Sequence, residues 1–185
     1  MRKRNLLVYL FCLKNLNAPI STRGTTMIRK ATQDDFDFIY DLTIHPQVNR
    51  FLFYEIMSRE EFKPIFYDLL LQDILYVFEP NGILTGMFKL RPLTHRCSHI
   101  TVLGGVAIHP SFSGKGYGLE MLHQIILLGK ERGFLRMELG VSTINTKAVH
   151  LYKKAGFEPE GILKKYIYLK TEDRFLDDIL MAYHY

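Results

Sequence analysis

The hydrophobic and polar positions in the first half of the chain follow two periods, one typical of helices and one typical of strands. Residues 27–31 predict a short strand, and residues 32–35 form a cap-and-acid pattern that begins a helix. That helix ends at His45-Pro46, because a proline disfavours helical backbone in the residue before it. Ser58 and Glu61 have the spacing of a capping box. The pattern further predicts helical segments at 48–54 and 59–72, and strands at 75–78 and 83–90 around a turn at 80–82.

In the second half, predicted strands and helices alternate, and glycines mark two positions. Residues 99–108 predict a longer strand, in which Gly104-Gly105 indicates a bulge or the close approach of another group. Gly156 ends a predicted helix at 145–155 in the manner of a C-terminal cap. The remaining predictions are a loop at 109–115, a helix at 117–132, strands at 136–141, 161–169 and 175–184, and a turn at 170–173. Together they predict one α+β domain with a mixed, mostly antiparallel central sheet flanked by helices.

The composition limits the class of protein. The 185 residues are 48% hydrophobic and 23% charged, which suits one folded domain and excludes a disordered or low-complexity chain. Two cysteines, Cys12 and Cys97, are too few for a disulfide scaffold. No apolar run approaches the roughly 20 residues of a transmembrane helix. We therefore expect a cytoplasmic protein with no membrane partner.

The formal net charge of +5 comes from one end of the chain. Residues 1–26 contain five of the 24 Lys and Arg residues and none of the 19 Asp and Glu residues, so the remainder is neutral. A neutral body argues against a nucleic-acid partner. The leader 1–26 resembles a secretory signal only in part, because Lys14 interrupts its apolar run and no good cleavage site follows. The alternative is a dispensable leader with translation starting at Met27, so we expect the folded domain to span 27–185.

The most informative segment is a glycine-rich turn between a predicted strand and a predicted helix, Ser113-Gly114-Lys115-Gly116-Tyr117-Gly118. Glycines allow close backbone approach, and the helix N-terminus offers free N–H groups to an anion. A P-loop is excluded, because Gly116 follows Lys115 where Ser or Thr is required. A dinucleotide fingerprint is weakly supported, because Leu119 replaces its third glycine, although Glu138 lies about 20 residues further on. An ordinary glycine-rich turn is the structural alternative.

The turn also resembles the acyl-CoA motif of the GNAT N-acetyltransferase superfamily, [QR]-x-x-G-x-[GA], with Ser113 in place of the usual Gln or Arg. Downstream, Asn145-Thr146-Lys147-Ala148-Val149-His150-Leu151-Tyr152-Lys153-Lys154-Ala155-Gly156-Phe157 resembles the family's second signature, N-x-x-A-x-x-L-Y-x-K-x-G-F. The two motifs are separated by one helix and one strand, as the fold requires. The chain over 27–185 is therefore identified as a member of this superfamily, most similar to the bacterial ribosomal-protein-alanine and polyamine acetyltransferase group.

The resemblance implies a strand pair that splays apart at an acetyl-CoA site, with acetyl-CoA as the co-substrate. The pantetheine arm would pair with the strand end, where the Val106 N–H could polarise the thioester carbonyl. The turn would hold the pyrophosphate mainly through backbone N–H groups, so that the loss of a long side chain at position 113 is tolerated. The implied cofactor-binding residues are Val106, Ala107, Ile108, Ser113, Gly114, Lys115, Gly116, Tyr117, Gly118, Asn145 and Lys154.

The resemblance implies one catalytic residue, Tyr152, as the general acid that protonates the departing thiolate. Packing between helix and sheet is the structural alternative for Tyr152, and helix capping is the alternative for Asn145. Many relatives carry a glutamate on the strand before the glycine turn, but residues 100–106 contain no acid. His99, His109 and His150 are the nearest titratable groups, each more typical of a structural role, so no general base is assigned. The His and Cys residues show no metal-ligand spacing, and no metal is expected.

The implied reaction transfers an acetyl group from acetyl-CoA to a primary amine of a small molecule, a polyamine or a protein N-terminus. Substrate choice is expected to depend on residues 45–72 and 93–98. The first segment combines aromatic residues with Glu55, Glu60 and Glu61, which would favour a cation unless these acids form a solvated helix face. The missing strand glutamate and Ser113 leave open a non-catalytic GNAT-fold module that binds acyl-CoA or a metabolite. A homodimer is possible, since dimers are common in the family.

Overall fold

The computed structural model describes residues 27–185, and the predictions made for residues 1–26 and Cys12 lie outside this range. The predicted α+β class is confirmed, with one seven-stranded sheet flanked by helices. The strands are β1 Ile28–Lys30, β2 Leu75–Phe78, β3 Gly86–Pro92, β4 Ile100–Ile108, β5 Arg136–Ser142, β6 Glu158–Leu169 and β7 Arg174–His184. The helices are α1 Phe36–Ile44, α2 Pro46–Asn49, α3 Arg59–Leu71, α4 Tyr117–Glu131 and α5 Thr146–Lys154.

The sheet has the strand order β1-β2-β3-β4-β5-β7-β6. Every neighbouring pair is antiparallel except β4 and β5, which run parallel at the centre. This parallel pairing covers three residues from each strand, Ile100–Val102 against Arg136–Glu138. Beyond it the two strands separate, while β4 remains paired with β3 and β5 remains paired with β7. The sheet is therefore open at its centre, as the resemblance implied.

Strand alternation sends side chains into two separate cores, because successive residues of a strand point to opposite faces. On β2, Tyr76 and Phe78 pack with helices α4 and α5, whereas Leu75 and Val77 pack with α1 and α3. The two helical layers thus cover opposite faces of the sheet. The central opening lies between these two layers.

The predicted helix starts are confirmed by side-chain contacts. Asp35 accepts a hydrogen bond from the Thr32 N–H at 2.7 Å and forms a capping box. Its carboxylate is buried and also accepts hydrogen bonds from both terminal nitrogens of Arg29, at 2.7 and 2.8 Å. Ser58 and Glu61 form the second capping box at the start of α3. These short-range pairs explain why the sequence located both helix starts correctly.

The predicted helix at 48–54 is wrong. Helix α2 ends at Asn49, and the following residues form turns and an irregular segment. The Asn49 side chain donates to the carbonyl groups of Thr43 and Tyr54, at 3.1 and 3.0 Å, and folds the chain back. The aromatic residues of this segment, Phe51, Phe53 and Tyr54, line cavities at the open centre of the sheet.

Candidate active site

The opening between β4 and β5 forms a cavity of about 420 Å³, called here the splay cavity. It is lined by β4 from Val102 to Val106 and by β5 from Gly140 to Ser142, with further side chains from both helical layers. Backbone that is released from strand pairing along these walls can pair with an extended ligand.

Strand β4 contains a bulge beside the opening. Gly104 pairs with Lys89 and Ala107 pairs with Met87, so Gly105 and Val106 together oppose the single residue Phe88. The φ angle of Gly105 is +58°, and a Cβ atom there would lie 2.8 Å from Cε of Lys89. Only glycine fits this position without moving its neighbour. The predicted role of the Gly104-Gly105 pair as a bulge is confirmed.

The structure separates the three β4 residues that the resemblance implied for cofactor binding. Val106 lines the splay cavity. The Ala107 side chain is buried in the α1–α3 core, and that of Ile108 packs against the α4–α5 core. Neither lines the splay cavity.

The glycine-rich turn has the geometry of an anion site. Gly116 caps helix α4 with a φ angle of +89°, and Gly114 has a φ angle of +75°. Within the described residues, the N–H groups from Gly114 to Gly118 donate to no protein acceptor outside helix α4. The fifteen-residue helix adds its positive dipole end to these free donors. The turn can therefore hold a pyrophosphate through the backbone.

The side chains of the turn contribute less to this anion site. Ser113 and Lys115 are exposed, and Nζ of Lys115 lies 5.5 Å above the Phe112 ring. Tyr117 packs edge-on against the same ring at 5.9 Å. At Gly118, a Cβ atom would lie 3.1 Å from Cδ2 of Leu151. Gly118 thus allows close packing of α4 against α5.

Tyr152 reaches the splay cavity from helix α5. Its side chain is 7% exposed and packs edge-on against Phe157 at 5.8 Å. Burial raises the pKa of the Tyr152 phenol well above its usual range. The phenol therefore stays protonated at neutral pH, as a proton donor must. Tyr152 therefore has both the helix–sheet packing of its structural alternative and the cavity position that a catalytic role requires.

Asn145 also lines the splay cavity and begins α5. Its Oδ1 accepts a hydrogen bond from the Ala148 N–H at 3.3 Å, which is the capping role considered from the sequence. Lys154, in the last turn of the same helix, is exposed and lines neither cavity described here.

An acidic residue that the sequence analysis overlooked lies in the splay cavity. Asp178 on β7 lines the cavity, and its side chain is fully buried. Burial raises the pKa of this carboxyl to about 6. The expectation that His99, His109 and His150 are the nearest titratable groups is wrong, because none of them lines this cavity. The available signal was that Asp178 alternates with Leu176 and Leu180 on one face of the predicted strand.

A second cavity, of about 640 Å³, opens beside the first and is called here the hairpin cavity. It lies between residues 49–56 and the β6–β7 hairpin. The residues that line both cavities are Leu52, Phe53, Tyr54, Tyr166 and Ile167. The aromatic rings of Phe53, Tyr54, Tyr166 and Tyr168 line it. Residues 93–98, expected to help choose the substrate, line neither of these cavities.

The charges of the hairpin cavity balance. Glu172 is paired with Arg174 at 2.6 Å, and Glu55 and Arg50 also lie in its wall. Glu61 is held by the Ser58 N–H, which lowers the pKa of its carboxyl, and Glu60 lines neither cavity. Among the acids singled out from the sequence, Glu55 alone faces this space.

Neither a candidate membrane span nor a candidate metal cluster occurs within residues 27–185. No described helix combines the length and apolar character needed to cross a membrane. No cluster of three or more His, Cys, Asp or Glu side chains in this range is arranged for a metal ion.

Comparison with known proteins places the chain in a family. The model of the acetyltransferase (GNAT) family matches residues 36–157. N-acetyltransferase aca1 of Schizosaccharomyces pombe is 30% identical over 104 residues, which cover 55% of this chain and 49% of the relative. The chain spans only 47 to 65% of the length of three curated relatives that it matches.

Solved structures share the fold. Spermidine N-acetyltransferase from Vibrio cholerae, in complex with CoA and spermine, aligns with a TM-score of 0.75 and 22% identity, covering 85% of this chain and 94% of its own. Ribosomal-protein-alanine N-acetyltransferase from Brucella melitensis aligns with a TM-score of 0.71 and 22% identity, covering 85% and 99%. The splayed sheet, the glycine turn and the family match lead to one conclusion: the chain belongs to the acetyltransferase (GNAT) family.

Proposed function

We propose that the protein is an N-acetyltransferase that moves an acetyl group from acetyl-CoA to a primary amine of a small molecule, a polyamine or a protein N-terminus. The observation that carries this proposal is the splay cavity, which brings Val106, Asn145 and Tyr152 together at the open centre of the sheet. Family membership and the names of the relatives support the reaction class.

The pyrophosphate and the pantetheine arm of acetyl-CoA each have candidate partners in the protein. The pyrophosphate is placed on the free N–H groups from Gly114 to Gly118, with Ser113 and Lys115 at the rim of the turn. The pantetheine arm runs along β4, and the Val106 N–H faces the thioester carbonyl as an oxyanion donor. Asn145 reaches the cofactor from the start of α5, and Lys154 serves as an outer cationic contact.

The reaction proceeds by direct attack of the amine on the thioester carbonyl carbon. The new C–N bond gives a tetrahedral intermediate, whose collapse breaks the C–S bond and releases the CoA thiolate. Tyr152 donates its phenol proton to this thiolate. Burial keeps this phenol protonated at neutral pH, so its proton is in place when the thiolate forms.

The acceptor amine enters through the hairpin cavity. That cavity joins the splay cavity through shared residues and has an aromatic wall with balanced charges. Aromatic faces bind both apolar groups and ammonium cations. The two solved structures reported above are named as a ribosomal-protein-alanine and a spermidine N-acetyltransferase. Both named acceptors present a primary amine. Formation of a homodimer remains a prediction. The absence of nucleic-acid and membrane partners also remains a prediction.

The first test is calorimetric titration of the full chain with acetyl-CoA and, separately, with NADH. We expect micromolar binding of acetyl-CoA and no binding of NADH, because the turn lacks the third glycine of a dinucleotide site. Thiol release would then be followed with spermidine, a peptide beginning with alanine, and tyramine. Binding with no turnover on this panel would favour the non-catalytic module, and absence of acetyl-CoA binding would refute the proposal.

Replacing Phe53 with alanine tests the acceptor route. Phe53 is 65% exposed, lines both cavities where they join, and packs edge-on against Tyr166 at 6.3 Å. We expect the KM of the best acceptor to rise about 3- to 10-fold, with kcat and the KM of acetyl-CoA unchanged, because ground-state binding is lost. Leu71→Ala is the control, since Leu71 is also exposed but lines neither cavity. An unchanged acceptor KM in the Phe53 variant would place the acceptor elsewhere.

A further inference from the structure

Asp178 is a carboxylate that lacks a hydrogen-bonding partner within residues 27–185. Its side chain is fully buried, with a relative exposure of 0%, and it lines the splay cavity. Neither carboxylate oxygen accepts a hydrogen bond from any described residue. A buried carboxylate is costly unless a cation or several donors satisfy it. The cavity beside Asp178 is the place from which such a partner can come.

The fold directs Asp178 to the acceptor side of the opening. On β7, the neighbouring Ile179 packs against the α4–α5 core, so strand alternation turns Asp178 to the opposite face. Asp178 pairs with Ser142 of β5, and its Oδ2 lies 3.0 Å from where a Cβ of Gly140 would be. Tyr152 belongs to the α4–α5 core, so the two residues approach the cavity from opposite faces of the sheet.

The other charged and titratable residues of this cavity leave Asp178 free. They are Tyr54, Lys89, Arg91, Tyr152 and Tyr166. Lys89 donates from Nζ to the Tyr54 hydroxyl at 3.0 Å, and no described cation forms an ion pair with Asp178. The adjacent Asp177 is satisfied, because its carboxylate accepts Nζ of Lys164 and the Lys165 N–H, each at 2.8 Å.

We propose that Asp178 binds the ammonium group of the acceptor and takes its proton. This inference rests on the proposed acetyl transfer and supplies the general base that β4 lacks. An alkylammonium has a pKa near that of lysine, about 10, and a peptide α-ammonium has one of about 8, and either attacks only after losing a proton. A buried cavity carboxylate with no competing cation is suited to hold that ammonium and accept the proton.

The protons and electron pairs of the reaction then balance. One proton passes from the ammonium to Asp178, and the freed lone pair forms the C–N bond. When the intermediate collapses, the C–S electron pair leaves with sulfur, and the thiolate takes a proton from Tyr152. The nitrogen then loses a second proton, which the Tyr152 phenolate accepts to become a phenol again. Asp178 releases its proton to solvent, so each turnover yields one amide, one thiol and one free proton.

Asp178→Asn in the full chain tests the proposal, with Asp177→Asn as the matched control on the neighbouring residue. With the best acceptor of spermidine, the alanine peptide and tyramine, we expect Asp178→Asn to lower kcat/KM at pH 7 by about 10- to 100-fold. The Kd of acetyl-CoA should not change. The deficit should shrink to about threefold or less by pH 10, where free amine is abundant without a base. Wild type should lose activity below about pH 6 as Asp178 becomes protonated.

A stability measurement separates this role from a structural one. The pKa of Asp178 is higher in the folded protein than in the unfolded chain, so ionisation of the buried carboxyl destabilises the fold as the pH rises. Asp178→Asn should therefore raise the Tm at pH 8, by about 2–6 °C, and change it little at pH 4. A loss of activity in a more stable variant cannot come from misfolding.

Each outcome has a distinct meaning. Activity of Asp178→Asn within threefold of wild type at pH 7 would overturn the role of Asp178 and leave the acetyltransferase proposal intact. An equal loss in Asp177→Asn, or a deficit that is constant with pH, would also overturn it. Absence of turnover by the wild-type chain on all three acceptors would refute the acetyltransferase proposal itself, and the base assignment with it.

Discussion

Replacing Tyr152 with phenylalanine is expected to lower kcat by on the order of 10²- to 10³-fold, with the Kd of acetyl-CoA unchanged. The substitution removes one oxygen atom and keeps the ring packed against Phe157. Without the phenol, the CoA thiolate must leave unprotonated or wait for a proton from water. The measurement is steady-state thiol release at saturating acetyl-CoA, with calorimetry to follow cofactor binding.

Tyr76→Phe is the matched control for this substitution. Tyr76 is a buried tyrosine of the same α4–α5 core, and it stacks on Phe88 with ring centroids 4.9 Å apart. Its hydroxyl has no hydrogen-bond partner within residues 27–185, and burial raises the pKa of its phenol to about 12. Tyr76 does not line the splay cavity, so Tyr76→Phe should keep full activity. A kcat within threefold of wild type for Tyr152→Phe would remove Tyr152 as the general acid.

Replacing Gly116 with aspartate is expected to raise the Kd of acetyl-CoA by on the order of 10²-fold. Gly116 caps α4, and its own N–H is among the free donors of the turn. A negative side chain there would face the pyrophosphate at a distance of a few ångströms, where repulsion between charges amounts to about 2–3 kcal/mol. Calorimetric titration with acetyl-CoA at low and moderate salt measures the effect, which should weaken as salt increases.

Two controls isolate the charge from the backbone strain at Gly116. Gly116→Asn has nearly the same shape as Gly116→Asp without the charge, and both side chains tolerate a positive φ angle. Gly133→Asp places the same change just beyond the other end of α4, where φ is +77° and the space is equally open. Both controls should bind acetyl-CoA within about tenfold of wild type. Equal losses in the Asn and Asp variants would contradict an anion site at this turn.

The features predicted correctly from the sequence depend on contacts between residues that are close together in the chain. The glycine turn, the Asn145 cap and the capping boxes of Asp35 and Glu61 all lie within a few residues of the groups they serve. Local hydrogen bonding and backbone preference therefore suffice to recognise them. The bulge at Gly104-Gly105 was recognisable for the same reason, since glycine inside an apolar strand is itself the signal.

The features that were missed depend on contacts between distant segments. The aromatic residues near Phe53 have helical spacing, yet the Asn49 side chain and the cavity walls hold them in an irregular segment. Ala107 and Ile108 follow Val106 directly, but alternation turns their side chains into different cores. Periodicity alone cannot tell which of two covered faces a side chain will meet.

Taken alone, the sequence determined the α+β class and the family resemblance, and it indicated the glycine turn as a candidate anion site and Tyr152 as a candidate acid. The class follows from the hydrophobic periods along the chain, and the candidate sites follow from contiguous motifs whose parts lie within one turn or one helix. The tertiary structure alone decided that Asp178 faces the splay cavity with no hydrogen-bond partner among the residues that the structure describes. That result required the register of β7 against β5 and the separation of β5 from β4. Register and separation arise from pairing between residues far apart in the chain, which local preference does not encode.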